Sequence, residues 1–243
     1  SLIQQYWLCA VNPKGALYST DFPATTCLIA AGLLDLQMAG CVTLEDKRVH
    51  VLAPLPEALD FLAPLYHALD REKPMKLSRL LERYTILTGK PLKTLLSSVL
   101  STLVAAGLTT PVTAGLFKNQ ERQAPKEEAV DRVMEQIRAE LLEDGPLTED
   151  VVALTALLDK AGRLKDFFSK HEQKRLRERL REIQSSETGQ AIKDMVNYVE
   201  LMSIILITSA GSSGGWAGVP DMSRQRSMEA IQAAEYVTIR ELV

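Results

Sequence analysis

With 243 residues, 46% of them apolar and 24% charged, the chain has enough hydrophobic material to bury one substantial core without help from disulfides or metals. Its formal net charge of -3 argues against a surface built throughout for polyanions, so any basic patch has to be found by position. Cys9, Cys27 and Cys41 stand apart among apolar neighbours without C-x-x-C spacing and read as buried thiols of a reducing compartment. No apolar run has the length of a membrane span, and no basic segment precedes a short apolar core at the start, which points to a cytoplasmic protein.

In chain order, residues 2–11 are an apolar run holding Gln4 and Gln5, read as a short helix or strand, and Asn12-Pro13-Lys14-Gly15 follows as a turn. Over residues 24–39, Leu28, Ile29, Leu33, Leu34, Leu36 and Met38 give an almost continuous apolar helix pattern, buried nearly all round, which Gly40 stops. Residues 41–44 and 49–52 read as two short strands, joined into a hairpin by the charged turn Glu45-Asp46-Lys47-Arg48. Pro56 and Pro64 divide the next stretch into two short helical turns or one kinked helix. After Pro74, the residues Met75, Leu77, Leu80, Leu81 and Tyr84 form one helix face and Lys76, Arg79 and Arg83 the opposite one. Gly89-Lys90-Pro91 is a break, and Pro91 opens a strongly apolar helix that runs to Ala106-Gly107.

Residues 108–117 then read as a short hairpin or wing, and an amphipathic helix spans 126–142. Thr148-Glu149-Asp150 caps a helix that stops near Gly162, and Leu164, Phe167 and Phe168 begin another that continues through 172–183. A polar hinge at 185–189 precedes a last core helix over 191–208. Residues 209–221 have Gly/Ser-rich linker composition and 222–243 carry a weaker helical pattern, which divides the chain into a main domain 1–208, a linker and a C-terminal helical tail. The fold class is mainly α, a compact helical domain with one or two short β-hairpins.

Catalytic constellations are missing from the pattern. His50, His67 and His171 form no helical ligand pair with each other or with a cysteine, and Asp35, Glu57 and Asp60 sit where helices carry carboxylates for solvation and capping. There is no G-x-S-x-G elbow, no phosphate-binding G-x-x-x-x-G-K-[ST] loop and no dinucleotide turn. The expectation is a non-enzyme without cofactor or metal.

Two basic clusters remain. The first joins Arg71, Lys73, Lys76, Arg79 and Arg83 to Lys90 and Lys93 beyond the break, diluted by Asp70, Glu72 and Glu82. Such a face is either ordinary solvated surface or an attractor of anionic headgroups, at about 1 kcal/mol per basic residue held near the bilayer. The second, Lys174, Arg175, Arg177, Arg179 and Arg181, is interleaved with Glu172, Glu178 and Glu182 and reads as intrahelical pairing. Leu116 and Phe117, beside Lys118 at the hairpin tip, are candidates for shallow membrane insertion, for contact with a second subunit, or for folding back on the core. The order helix, break, helix, hairpin over 77–117 also resembles a winged helix. Its second helix has Lys93 as its only charge from 92 to 106, too little to hold phosphates or base edges, so no nucleic-acid partner is expected.

The succession Leu28-Ile29-Ala30-Ala31-Gly32-Leu33-Leu34-Asp35-Leu36-Gln37-Met38-Ala39-Gly40, followed by Val42-Thr43-Leu44-Glu45, resembles a stretch of the Golgi phosphoprotein 3 family. Leu100-Ser101-Thr102-Leu103-Val104-Ala105-Ala106-Gly107-Leu108-Thr109 is similar to the family segment that ends the helix before its hairpin, and the likeness covers roughly residues 1–208. The resemblance implies a compact helical domain without catalytic activity, peripheral on membranes. Its eukaryotic members bind phosphatidylinositol 4-phosphate, recruit the tails of membrane enzymes as cargo, and self-associate through the hairpin. The family's headgroup aromatic falls near Phe22, its helix arginines fall on Lys93 and Leu96, and its early arginine falls near Ile29. Only Lys93 keeps the charge, which fits a bacterial-type member of less defined function, with an anionic, phosphoinositide-like headgroup still the expected ligand class. The sequence thus supports an adaptor at an anionic membrane surface, with a winged-helix regulator or a self-associating scaffold as alternatives.

Overall fold

A helix that is apolar on every side has to lie at the centre, and α2 (Phe22–Met38) does so: all its residues from Ala24 to Leu36 are buried. The computed structural model describes residues 1–17, 21–69, 73–85, 89–114, 120–143, 145–185 and 197–201. Residues 2–10 form a helix, α1 (Leu2–Ala10), which packs along α2 together with α7 (Glu149–Lys160). α1 runs opposite to α2. At one end the Asp35 carboxylate accepts the Leu2 and Ile3 amides at 2.8 and 2.9 Å, and at the other the Tyr6 hydroxyl donates to the Ala24 carbonyl at 3.0 Å. Close approach in between needs Gly32, because a Cβ there would stand 2.8 Å from Leu65 Cδ2 and 3.1 Å from Ile3 Cδ1.

Around this core the chain adds its shorter elements. β1 (Val42–Glu45) and β2 (Arg48–Val51) form the expected hairpin, turned by Asp46 and Lys47 with φ of 49° and 59°, the primed geometry that matches strand twist. A 3₁₀ turn (Glu57–Leu62) and α3 (Ala63–Tyr66) are the two short pieces marked by the prolines. β3 (Met75–Lys76), absent from the sequence reading, pairs antiparallel with β2 and completes a three-stranded sheet of order β1-β2-β3. α4 (Leu77–Thr85) and α5 (Lys90–Ala105) follow, with proline in the first turn of α5 as expected.

β4 (Thr109–Ala114) and β5 (Gln120–Pro125) make the second hairpin. α6 (Glu127–Ile137) continues into a π-helical turn (Arg138–Leu142) where one unbroken helix was expected. That widened turn aims the buried Glu140 at the start of α7: its carboxylate accepts the Thr148 amide at 2.9 Å and the Thr148 hydroxyl at 2.8 Å. α7 ends at Gly162, whose φ of 67° permits the two closing bonds Gly162 N–H to Asp159 O and Arg163 N–H to Leu158 O. A 3₁₀ turn (Leu164–Asp166) leads to α8 (Lys170–Ser185), and residues 197–201 are helical, with Val199 buried in the core. The order is mainly α with two small antiparallel sheets, as the sequence indicates. The expected linker 209–221, the tail 222–243 and most of the 191–208 helix lie outside the described residues.

Candidate functional site

The first basic cluster is assembled differently from the helix face expected of it. Leu77, Leu80, Leu81 and Tyr84 turn α4 inward, which leaves Arg79 and Arg83 exposed. Lys76 is not on that helix. It is the last residue of β3, because Met75 and Lys76 pair with Val49 and Arg48, and the Leu77 amide donates to the Lys47 carbonyl at 2.9 Å, so the strand runs straight into α4. The pairing brings in two cations that the sequence reading did not count. Arg48 stands directly opposite Lys76 and shares a sheet face with it, Lys47 occupies the turn, and both are exposed. Glu45 is Arg48's partner on the other side.

Like charges placed opposite one another across strands are unfavourable, yet no ion pair relieves them: among the described residues none of Lys47, Arg48, Lys76, Arg79 and Arg83 forms a salt bridge. Arg48 instead donates from Nη1 to the Pro74 carbonyl at 3.2 Å. Lys90 and Lys93 extend the set at the first turn of α5, both exposed, and α4 packs against α5. Lys73 is exposed nearby, while Asp70, Arg71 and Glu72 lie outside the described residues.

The second cluster, on α8, is engaged. Lys174–Glu178 at 3.7 Å and Arg179–Glu182 at 3.2 Å are the intrahelical pairs that its spacing suggests. The stronger contacts run between elements: Arg177 Nε to Asp159 on α7 at 2.7 Å, Arg175 Nη2 to the Leu142 carbonyl at 2.8 Å, and Arg138 Nε to Glu172 at 3.2 Å. Arg138 also lies over the Phe168 ring at 4.8 Å. Glu172 closes a capping box with Ser169, accepting the Ser169 amide at 2.8 Å while the Ser169 hydroxyl accepts the Glu172 amide at 3.3 Å. Those Ser169 bonds, helped by Arg138, hold the Glu172 carboxyl below its ordinary value.

The family model for Golgi phosphoprotein 3 (GPP34) matches residues 2–199, which span α1 through the last described helix. The chain belongs to that family. No curated protein matches it.

Within the Golgi phosphoprotein 3 frame, the positions to which the resemblance assigns the headgroup site lie on α2 and α5. Phe22, 40% exposed, opens α2 beside its cap Asp21, which is tied to Arg163 on the turn after α7 at 2.5 Å. Among the described residues Phe22 makes no ring or cation–π contact, and Lys93 stands on α5, which packs against the 3₁₀ turn, α3 and α4. Ile29, near which the resemblance puts an arginine, is fully buried in α2. A charge there has no route to solvent. Leu116, Phe117 and Lys118 lie outside the described residues.

Asp35 caps α1, with burial pushing its carboxyl up against the pull of the two amides it accepts, while Glu57 and Asp60 are exposed on the 3₁₀ turn. Cys9, Cys27 and Cys41 are free and buried, and burial pushes the Cys9 and Cys27 thiols up to about 12. Among the described residues no group of His, Cys, Asp and Glu is arranged to hold a metal, and no helix is long and apolar enough to cross a membrane. The winged-helix order of α4, α5, β4 and β5 is present, but beyond Lys90 and Lys93 the exposed side of α5 carries Thr94, Ser97, Ser101 and Val104, without a guanidinium.

Proposed function

We propose that this chain is a non-enzymatic adaptor, peripheral on membranes, whose β2–β3–α4 face docks on an anionic lipid surface from the cytoplasmic side. The observation that carries the reading is the cluster of positive charge at Arg48, Lys76, Arg79 and Arg83, exposed and outside any salt bridge among the described residues, in a protein whose net charge is -3. Family membership supports it. Four such residues near an anionic bilayer contribute about 4 kcal/mol together, enough for reversible docking and in need of a second contact for residence. The reading is charge-led rather than specific to phosphatidylinositol 4-phosphate, since the resemblance puts arginines at Leu96 and near Ile29, where this chain has apolar residues. Self-association through Leu116 and Phe117 between β4 and β5 would supply a second copy of the face and so raise avidity. The cargo is a protein that this reading does not name.

Co-sedimentation with vesicles of phosphatidylcholine containing phosphatidylserine tests the proposal. Binding should be strong at low salt and fall steeply as the Debye length shrinks from about 10 Å at 0.1 M to about 3 Å at 1 M salt. Equal binding to neutral and anionic vesicles would overturn it.

A further inference from the structure

We propose that the cleft between the C-terminal end of α7 and the middle of α8 is a separate anion site, taking one tetrahedral phosphate group, with Glu200 as the internal carboxylate which that ligand displaces. Along α8, Lys170, Lys174, Arg177 and Arg181 recur at intervals of four, three and four residues, which on a helix of 3.6 residues per turn sets them in one line. The line borders α7. Where the two helices meet they leave a cleft of about 120 Å³, floored by Ala156 and Leu180 and walled by Lys160, Arg177, Arg181 and Glu200.

Charge in the cleft does not balance. Arg177 holds Asp159 through Nε at 2.7 Å and Lys160 holds Glu200 at 2.6 Å, whereas Arg181 forms no salt bridge among the described residues, so that among these residues three cations line the cleft with two carboxylates. Arg177 spends only its Nε on Asp159, which leaves the terminal nitrogens of two guanidiniums as donors toward the cleft. The negative end of the α7 dipole is covered, because Gly162 and Arg163 amides close on the Asp159 and Leu158 carbonyls at 2.9 and 2.8 Å. The cleft is small and partly open to solvent, so a compact anion can enter it.

Planar guanidiniums grip phosphate by paired, charge-assisted hydrogen bonds, which a half-exposed lysine–glutamate bridge does not match. Lys160 and Glu200 side chains are 32% and 40% exposed, so their bridge is weak and exchangeable. A doubly charged phosphate monoester therefore replaces Glu200 on Lys160 while engaging Arg177 and Arg181. The same group can arrive as free phosphate or on a lipid.

Isothermal titration of the full chain with inorganic phosphate, alongside flotation with phosphatidylcholine vesicles containing phosphatidic acid, tests this site and separates the two sources. The expected result is saturable binding in at least one arm, weakened about tenfold by Arg181→Ala and tightened severalfold by Glu200→Gln, two changes of opposite sign at exposed or half-exposed positions that leave the fold intact. Phosphate binding identifies a soluble ligand, and vesicle binding alone identifies a lipid-borne one. The triple substitution Lys76→Gln, Arg79→Gln, Arg83→Gln should leave phosphate binding unchanged, which keeps this site distinguishable from the α4 face. Absence of saturable binding in both arms, or indifference to both the Arg181 and the Glu200 change, overturns the inference.

Discussion

On α4 the guanidiniums of Arg79 and Arg83 form no salt bridge among the described residues, whereas on α8 Lys174, Arg177 and Arg179 each hold a carboxylate and Arg175 holds a backbone carbonyl. The difference lies in what the neighbours supply. α8 interleaves glutamates at three- and four-residue spacing and packs beside Asp159 of α7, while α4 has Glu82 as its single carboxylate and meets a sheet edge that adds Arg48 and Lys47. Cation count therefore says little about function. A cation whose field is already cancelled acts as structure, and one left uncancelled is available to a partner. Arg181 is the one arginine of the α8 cluster that behaves like those of α4, and it is the one at the cleft.

The comparison breaks most visibly if both faces are neutralised in parallel. Lys76→Gln, Arg79→Gln, Arg83→Gln should cut partition onto phosphatidylserine vesicles by roughly two orders of magnitude, from about 1 kcal/mol per residue, with the melting temperature unmoved. Arg175→Gln, Arg177→Gln, Arg179→Gln should do the reverse, lowering the melting temperature and leaving vesicle partition within a factor of about two or three, a shift well under 1 kcal/mol. Co-sedimentation and thermal denaturation of the two triple variants check this. Equal loss of binding from both would reduce the α4 face to one part of a diffuse positive surface.

Much of this contrast was written in the sequence, and the part that was not has physical reasons. The intrahelical pairs of α8 follow from spacing, as do α2 at the centre, the Gly162 stop and the first-turn proline of α5. β3 escaped because two residues carry no alternation to detect, and with it went the place of Lys76 and the recruitment of Arg48, which depend on the pairing of Arg48 with Lys76, 28 residues further along the chain. The π turn at Arg138–Leu142 left the apolar period of α6 almost undisturbed, so its purpose, the Glu140 cap on α7, shows only in three dimensions. Arg177–Asp159 and Arg138–Glu172 join helices whose relative placement no local pattern sets. The α7–α8 cleft was illegible for the same reason, since Lys160, Arg181 and Glu200 come from three segments.

A single substitution sharpens the structural side of the contrast. Arg138→Ala removes the Glu172 bridge, the bond from Nη2 to the Phe167 carbonyl at 3.1 Å and the stacking on Phe168, and should cost about 1–2 kcal/mol of stability for a group a third exposed. Urea denaturation measures it. Arg138→Lys should recover only a fraction, because an ammonium cannot make the two bonds and lie flat on the ring together. Vesicle binding should be untouched by either change, and a variant that loses binding without losing stability would move Arg138 to the functional side.

The smallest effect separates the two faces by pH. Glu172→Gln should cost about 0.5–1 kcal/mol at pH 7, the scale of one capping interaction. Its pH dependence follows from the depressed carboxyl: a group that titrates lower folded than unfolded contributes stability that is present above the unfolded value of 4.5 and is lost as pH falls through the folded one. Wild type and Glu172→Gln should therefore converge in stability as pH drops below 4.5 and stay apart from pH 5 upward. Docking through the α4 face does not draw on the Ser169–Glu172 cap. Vesicle binding measured over the same interval, with a lipid whose headgroup keeps its charge, should hold level while the stability difference on α8 disappears. A parallel decline of both would mean that docking draws on α8's capped end as well as on the open cations of α4.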